Sequence, residues 1–125
     1  MLFRSGLANV AIIEREGLVE RAAKIGPWFI EQLRQQVEPL ARVGQVRGLG
    51  MMAAAELVDP NATGPAFYDN AVGMAGKVVA RCVDKGILAR RLNNTICMAP
   101  PLISTEAQLN RLVEVLAESI QAESS

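Results

Sequence analysis

The sequence predicts an α+β domain: a small, mostly antiparallel sheet covered by helices. Three observations carry this. Apolar residues recur at helical spacing near both ends of the chain, short apolar runs of strand length lie between them, and glycine, proline or asparagine separates those runs. The 125 residues suffice for one compact domain. No repeat or internal linker divides them.

Gly6 to Glu16 reads as a helix with Leu7, Val10, Ala11 and Ile13 apolar, interrupted at Gly17. A second helical pattern follows in Leu18, Ala22, Ile25, Phe29, Leu33 and Val37. Pro27 lies inside it and cannot donate a helical hydrogen bond, so the sequence predicts a kink at Gly26-Pro27 or two shorter helices. Pro39 marks the end. Val43 to Arg47 reads as a strand, Gly48-Leu49-Gly50 as a tight feature and Met51 to Val58 as a second strand, broken by Asp59-Pro60-Asn61. After a loop to Tyr68, Asp69 or Asn70 is placed to cap a third helix running to Lys85. Gly86 then supplies the left-handed residue at its end. Ile87 to Leu92 and Thr95 to Ala99 form a hairpin around Asn93-Asn94, ended by Pro100-Pro101. Thr105 with Gln108 three residues on is a capping box. Leu109, Leu112, Val113, Leu116 and Ile120 form the apolar stripe of the last helix.

Composition narrows the chemistry. The chain has no histidine, which excludes histidine-based nucleophile systems, imidazole acid–base work and His-ligated zinc. Lys+Arg and Asp+Glu are both 13, and aromatics are 4%. Neither a basic footprint nor a base-stacking platform for nucleic acid is present. Half of the residues are apolar and the mean hydropathy is +0.20, high for a small soluble monomer. Apolar surface is therefore expected to meet a partner or a second copy, and a homo-oligomer is expected. Cys82 and Cys97 have neither metal spacing nor a CxxC arrangement and read as small core residues. The longest uncharged stretch, Leu92 to Thr105, holds two prolines and two asparagines and does not suit a membrane helix. With no secretory signal evident at Met1 to Leu7, a reduced, cytoplasmic, soluble protein is expected.

Two motifs remain. Gly48-Leu-Gly50-Met-Met-Ala53 fits the glycine string of a dinucleotide site, but Asp59-Pro60 arrives too soon for the helix such a site needs. Two glycines permitting a bend between strands is the better reading. Arg90-Arg91 ends a strand just before a turn, and neighbouring strand residues point to opposite faces. One guanidinium can enter a cleft and offer a carboxylate two parallel hydrogen bonds, while the other stays in solvent. Read from pattern alone, both also suit a solvated sheet edge.

The stretches Val46-Arg-Gly-Leu-Gly-Met-Met-Ala-Ala-Ala-Glu-Leu57 and Gly86-Ile-Leu-Ala-Arg90-Arg-Leu-Asn-Asn-Thr95-Ile-Cys-Met-Ala-Pro100-Pro-Leu-Ile-Ser-Thr105 give the chain a likeness. In that order they resemble the C-terminal small domain of class III (omega) aminotransferases. The opening Ala8 to Arg21 is similar to the helices that enter that domain. The resemblance runs from about Leu7 to about Ala122. It implies a fold like the C-terminal domain of fold-type I pyridoxal-phosphate enzymes for residues 7–125, with residues 1–6 a truncated or non-native-looking N-terminus. It implies a fragment of an enzyme that transfers amino groups between an amine or amino acid and a keto acid. The Schiff-base lysine, the acid facing the pyridine nitrogen and the phosphate loop would lie in a missing large domain. Lys24, Lys77 and Lys85 all fall on helices, so no cofactor is expected on this chain alone and no activity either. Arg90 falls where the family recognises the substrate carboxylate. Arg91 stands where proline is frequent in the family and Asn93 where glycine is frequent, which makes Arg91 a rival. A free-standing, non-catalytic ligand-binding or interaction module is the alternative. An in-frame upstream sequence with an apolar strand ending in lysine would decide against it.

Overall fold

The computed structural model describes residues 2–62 and 73–123, with the side chain of Leu2 left aside. Its elements are α1 (Leu2–Arg15), α2 (Leu18–Gln36), β1 (Val43–Leu49), β2 (Met52–Leu57), α3 (Met74–Asp84), β3 (Arg90–Leu92), β4 (Thr95–Met98) and α4 (Glu106–Ala122). The four strands form one sheet in the order β1-β2-β4-β3, every neighbouring pair antiparallel. The α+β expectation therefore holds.

One face of the sheet is covered. Val43, Val46, Ala53, Ala55, Leu57, Ile96 and Met98 point inward and join one core with Phe29, Ile30 and Leu33 of α2, Val78 and Cys82 of α3, and Leu109, Val113 and Leu116 of α4. Helix α4 packs against both α2 and α3. No described helix lies over the other face.

Helix α2 is one unbroken helix through Pro27, not two. Ile25 before the proline and Phe29, Ile30 and Leu33 after it dock on the same core. That burial outweighs the lost hydrogen bond. Helix α1 starts at Leu2, four residues before the expected Gly6. Helix α3 starts at Met74, behind Gly73; the expected caps Asp69 and Asn70 lie outside the described residues. Its end is as expected. Gly86 has φ 82°, the Ile87 N–H donates to the Cys82 carbonyl at 2.8 Å, and the Gly86 N–H donates to that of Val83 at 2.9 Å. These two hydrogen bonds occupy carbonyls that a helix end leaves free, and they draw Ile87 back over α3. For that reason β3 begins only at Arg90 rather than at Ile87.

The capping box is complete. The Gln108 N–H donates to Thr105 Oγ1 at 3.2 Å, and the Thr105 N–H donates to Gln108 Oε1 at 3.0 Å.

Candidate substrate-facing site on the open face of the sheet

The β1–β2 turn sets the register from which the site is built. Leu49 pairs with Met52, so Gly50-Met51 is a two-residue hairpin loop with its glycine first, at φ 58°. Arg47 then lies opposite Ala54, Ala54 opposite Cys97, and Cys97 opposite Arg90. These four residues form one row across all four strands, on the open face. The next row is Val46, Ala55, Ile96 and Arg91, and its first three members are buried.

The two arginines are thereby separated by face, as strand alternation requires. Arg90 shares the open face with Cys97 and Ala54. Arg91 ends the inward row, and its chain lies over α3: a Cβ added at Gly76 would sit 3.6 Å from Arg91 Cδ. Among the described residues no carboxylate pairs with Arg90. Arg47, at the other end of the row, donates to Glu56 Oε2 at 2.6 Å.

The open face carries a shallow hollow of about 870 Å³ whose walls include Met52, Ala54, Leu88, Arg90, Cys97 and Arg47. Leu49, Met52, Leu88 and Leu92 are exposed large apolar residues on or beside it. A free guanidinium among apolar side chains suits a carboxylate attached to an apolar body, because low surrounding polarity strengthens a charge-assisted hydrogen bond. A second hollow of about 770 Å³, between Ile87, Met98, Pro100, Ile103 and Gln108, has no titratable lining residue. Its polar lining, Ser104, Thr105 and Gln108, is uncharged.

Two contacts escaped the sequence reading. The Arg47–Glu56 pair is diagonal across the β1–β2 hairpin and follows once Gly50-Met51 is recognised as its loop; that dipeptide was the available signal. Arg21 Nε donates to the Leu102 carbonyl at 2.8 Å, and Arg21 Nη2 donates to that of Ser104. This clamp ties the segment before α4 to α2 across 81 and 83 residues, and no local signal marks it.

The glycine string has a packing cause. A Cβ on Gly26 of α2 would lie 2.3 Å from the Gly50 carbonyl oxygen, and one on Gly48 would lie 2.5 Å from that of Met52. Helix α2 approaches the hairpin too closely for a side chain at Gly26, the two hairpin strands leave no room for one at Gly48, and Gly48-Leu-Gly50 leads into a strand, not the helix of a nucleotide site. Cys82 is buried, and burial raises its thiol pKa above the ordinary cysteine value, so it stays protonated as a core residue. Cys97 is half-buried on the open face.

Pyridoxal phosphate bound as a Schiff base needs a desolvated lysine amine. Lys24, Lys77 and Lys85 are all exposed, and Lys85 Nζ donates to Glu118 Oε2 at 2.6 Å. None is the desolvated amine that Schiff-base chemistry uses, so the described residues do not fit the cofactor by themselves. Among them no group of acidic, cysteine or histidine side chains gathers to hold a metal ion, and no helix is long and apolar enough to cross a membrane.

A family model described as aminotransferase class-III matches residues 5–120. The diaminobutyrate–2-oxoglutarate transaminase of Halomonas elongata is 38% identical over 112 residues, which cover 87% of this chain and 24% of that protein. The taurine–pyruvate aminotransferase of Rhodobacter capsulatus is 34% identical over 124 residues, covering 94% and 26%. Among solved structures, a transaminase from the marine bacterium Virgibacillus superposes with a TM-score of 0.83 at 34% identity, covering 93% of this chain and 27% of that one. The chain thus spans about a quarter of the length of the relatives it matches.

Proposed function

The chain belongs to the class III aminotransferase family, and from that premise we propose that it is the substrate-side, C-terminal domain of a pyridoxal-phosphate-dependent transaminase. Residues 7–125 form that domain. Its open sheet face turns toward a larger cofactor-bearing part that this chain does not include. The intact enzyme moves amino groups between an amine or amino acid and a keto acid, in the cytoplasm. The cofactor supplies the electron sink for that exchange, and residues outside this chain hold it.

The observation that carries the reading is the position of Arg90. It is the guanidinium on the open face that no described carboxylate neutralises, and apolar residues flank it. Its planar fork can grip a substrate carboxylate with two parallel bonds and so fix the orientation of the substrate. Arg47 is a poorer candidate because Glu56 already occupies it. Arg91 is a poorer one because it runs along α3.

The test joins this chain to the large domain of its parent enzyme. Arg90→Ala and Arg91→Ala are then compared on a keto acid and on an aldehyde that lacks a carboxylate. Hydrogen bonds to charged groups contribute about 1.5–3 kcal/mol, so Arg90→Ala should raise KM for the keto acid by tens to about a hundredfold and spare the aldehyde. Arg91→Ala should leave both acceptors nearly unchanged. The 125-residue chain given pyridoxal phosphate is the control and should exchange no amino groups. An effect carried by Arg91, or an equal loss on both acceptors, would remove the carboxylate role from Arg90. Activity in the control would refute the domain assignment.

A further inference from the structure

The strand that carries Arg90 has little support of its own. β3 is three residues long, and β4 is its one neighbour in the described sheet. Arg90 lies opposite Cys97 and Arg91 opposite Ile96, so the direction in which Arg90 leaves the sheet follows β4. β4 in turn pairs with β2 as far as Met98, opposite Ala53. Beyond that point Ala99 to Thr105 run to α4 outside any ladder. Pro100 and Pro101 have no N–H to donate, and within this connector the Ser104 N–H closes a single turn on the Pro101 carbonyl at 2.9 Å. Leu88, Met98 and Ala99 line both hollows, so the exit of β4 is the partition between them and a wall of the space beside Arg90.

Arg21 anchors this connector from α2. Its Nε donates to the Leu102 carbonyl at 2.8 Å and its Nη2 to the Ser104 carbonyl. The guanidinium is partly buried and Ser104 is buried. No described carboxylate forms an ion pair with Arg21, so its charge is directed at two neutral acceptors and strengthens both bonds. The rigid fork also fixes the two carbonyls relative to each other, which the single ammonium of a lysine does not do. Helix α4 does not require the clamp for its own start, because the Thr105–Gln108 box already satisfies that end. Both carbonyls precede the box and lie on the β4 side of it.

We infer that Arg21 is a positioning residue for the carboxylate site: by holding Leu102 and Ser104 it fixes the exit of β4, and through β4 the aim of Arg90. This rests on the carboxylate role proposed for Arg90. The route is short, from Arg21 to Leu102 and Ser104, back along the chain to Met98 and Cys97, and across the ladder to Arg90. Arg21 touches no substrate in this scheme. It acts on substrates that carry a carboxylate, because only those depend on where the Arg90 fork points.

The experiment uses the enzyme rejoined to its large domain, with Arg21→Met, Arg21→Lys, Arg90→Ala and the Arg21→Met/Arg90→Ala pair, each on a keto acid and on an aldehyde that lacks a carboxylate. Arg21→Met keeps the apolar stem and removes both donors, and Arg21→Lys keeps the charge, so a foldable variant is available. Arg21→Met should raise KM for the keto acid at least about fivefold, with kcat and the aldehyde reaction within about twofold of native. Arg21→Lys should fall between the two. On the Arg90→Ala background Arg21→Met should add less than about twofold, because the two residues act on one interaction. Equal losses on both acceptors, a lowered kcat at unchanged KM, or full additivity with Arg90→Ala would reduce Arg21 to a clamp of the fold and overturn the inference. If Arg90→Ala distinguishes the acceptors and Arg21→Met does not, the inference alone fails. If Arg90→Ala does not distinguish them, the carboxylate role of Arg90 fails and takes this inference with it.

Discussion

The two faces of the sheet are built from the same strands, yet they have opposite fates. On the covered face, Ala55, Leu57 and Ile96 are fully buried beneath α2, α3 and α4. On the open face, Leu49 is 83% exposed and Met52 67% exposed, interleaved with Arg47 and Arg90. Alternation along a strand separates the two sets but does not say that only one face will find a cover within the chain. The lesson is that an apolar position states a need for burial, and not by what. On the covered face the need is met inside the domain, and the interior charge is removed. On the open face, apolar side chains stay exposed around a guanidinium.

Deleting side chains from each face would break this comparison most directly. Leu57→Ala should destabilise the fold by about 2–5 kcal/mol, through lost burial and the cavity left behind. Met52→Ala should change it by less than about 0.5 kcal/mol, because its side chain is already in water. Denaturant midpoints at equal slopes measure both. Similar losses from the two would mean that the open face is covered within this chain.

Helix α4 closes the covered side, and its start rests on the reciprocal Thr105–Gln108 bonds. Thr105→Ala should lower stability by about 1 kcal/mol, read as a shifted urea midpoint. An unmoved midpoint would show that the capping box does not anchor the cover.

The cysteines sharpen the contrast at smaller scale. Cys82 lies under the covered face, and its raised pKa means that the folded state holds its proton more tightly than the unfolded chain. That contribution is complete below the unfolded thiol pKa of about 8.5 and is lost as pH rises through the folded value. Native stability should therefore fall modestly in alkali, and Cys82→Ala should flatten that limb. A thiol reagent at neutral pH should modify Cys97 first and reach Cys82 only on unfolding. Equal rates would contradict the burial that separates the two faces.

Much of the architecture was legible because local chemistry writes it. The capping box at Thr105 and the left-handed Gly86 each involve residues a few positions apart, and the turn at Asn93, with φ 53°, is as local. Their hydrogen bonds form wherever the sequence occurs. The apolar stripe of α4 was equally plain. Pro27 was misjudged because its cost is local while the compensation, burial of Ile25 and Phe29 on either side, is not. The late start of β3 was missed because Ile87 is recruited backward by the end of α3.

The sequence by itself determined the element types, the start of α4 at its capping box, the end of α3 at Gly86 and the placement of two adjacent arginines before a turn, since each depends on neighbours along the chain. Only the tertiary structure decided which arginine faces outward, why glycine stands at 26, and how Arg21 holds the approach to α4. Arg90 is on the open face because β4 pairs at once with β3 and with β2, and that register passes through residues some forty positions away. Gly26 is set by the hairpin, whose Gly50 carbonyl oxygen would lie 2.3 Å from a Cβ on the helix. Contacts between distant segments form only when the whole core assembles, and no local spacing encodes which atoms will then meet.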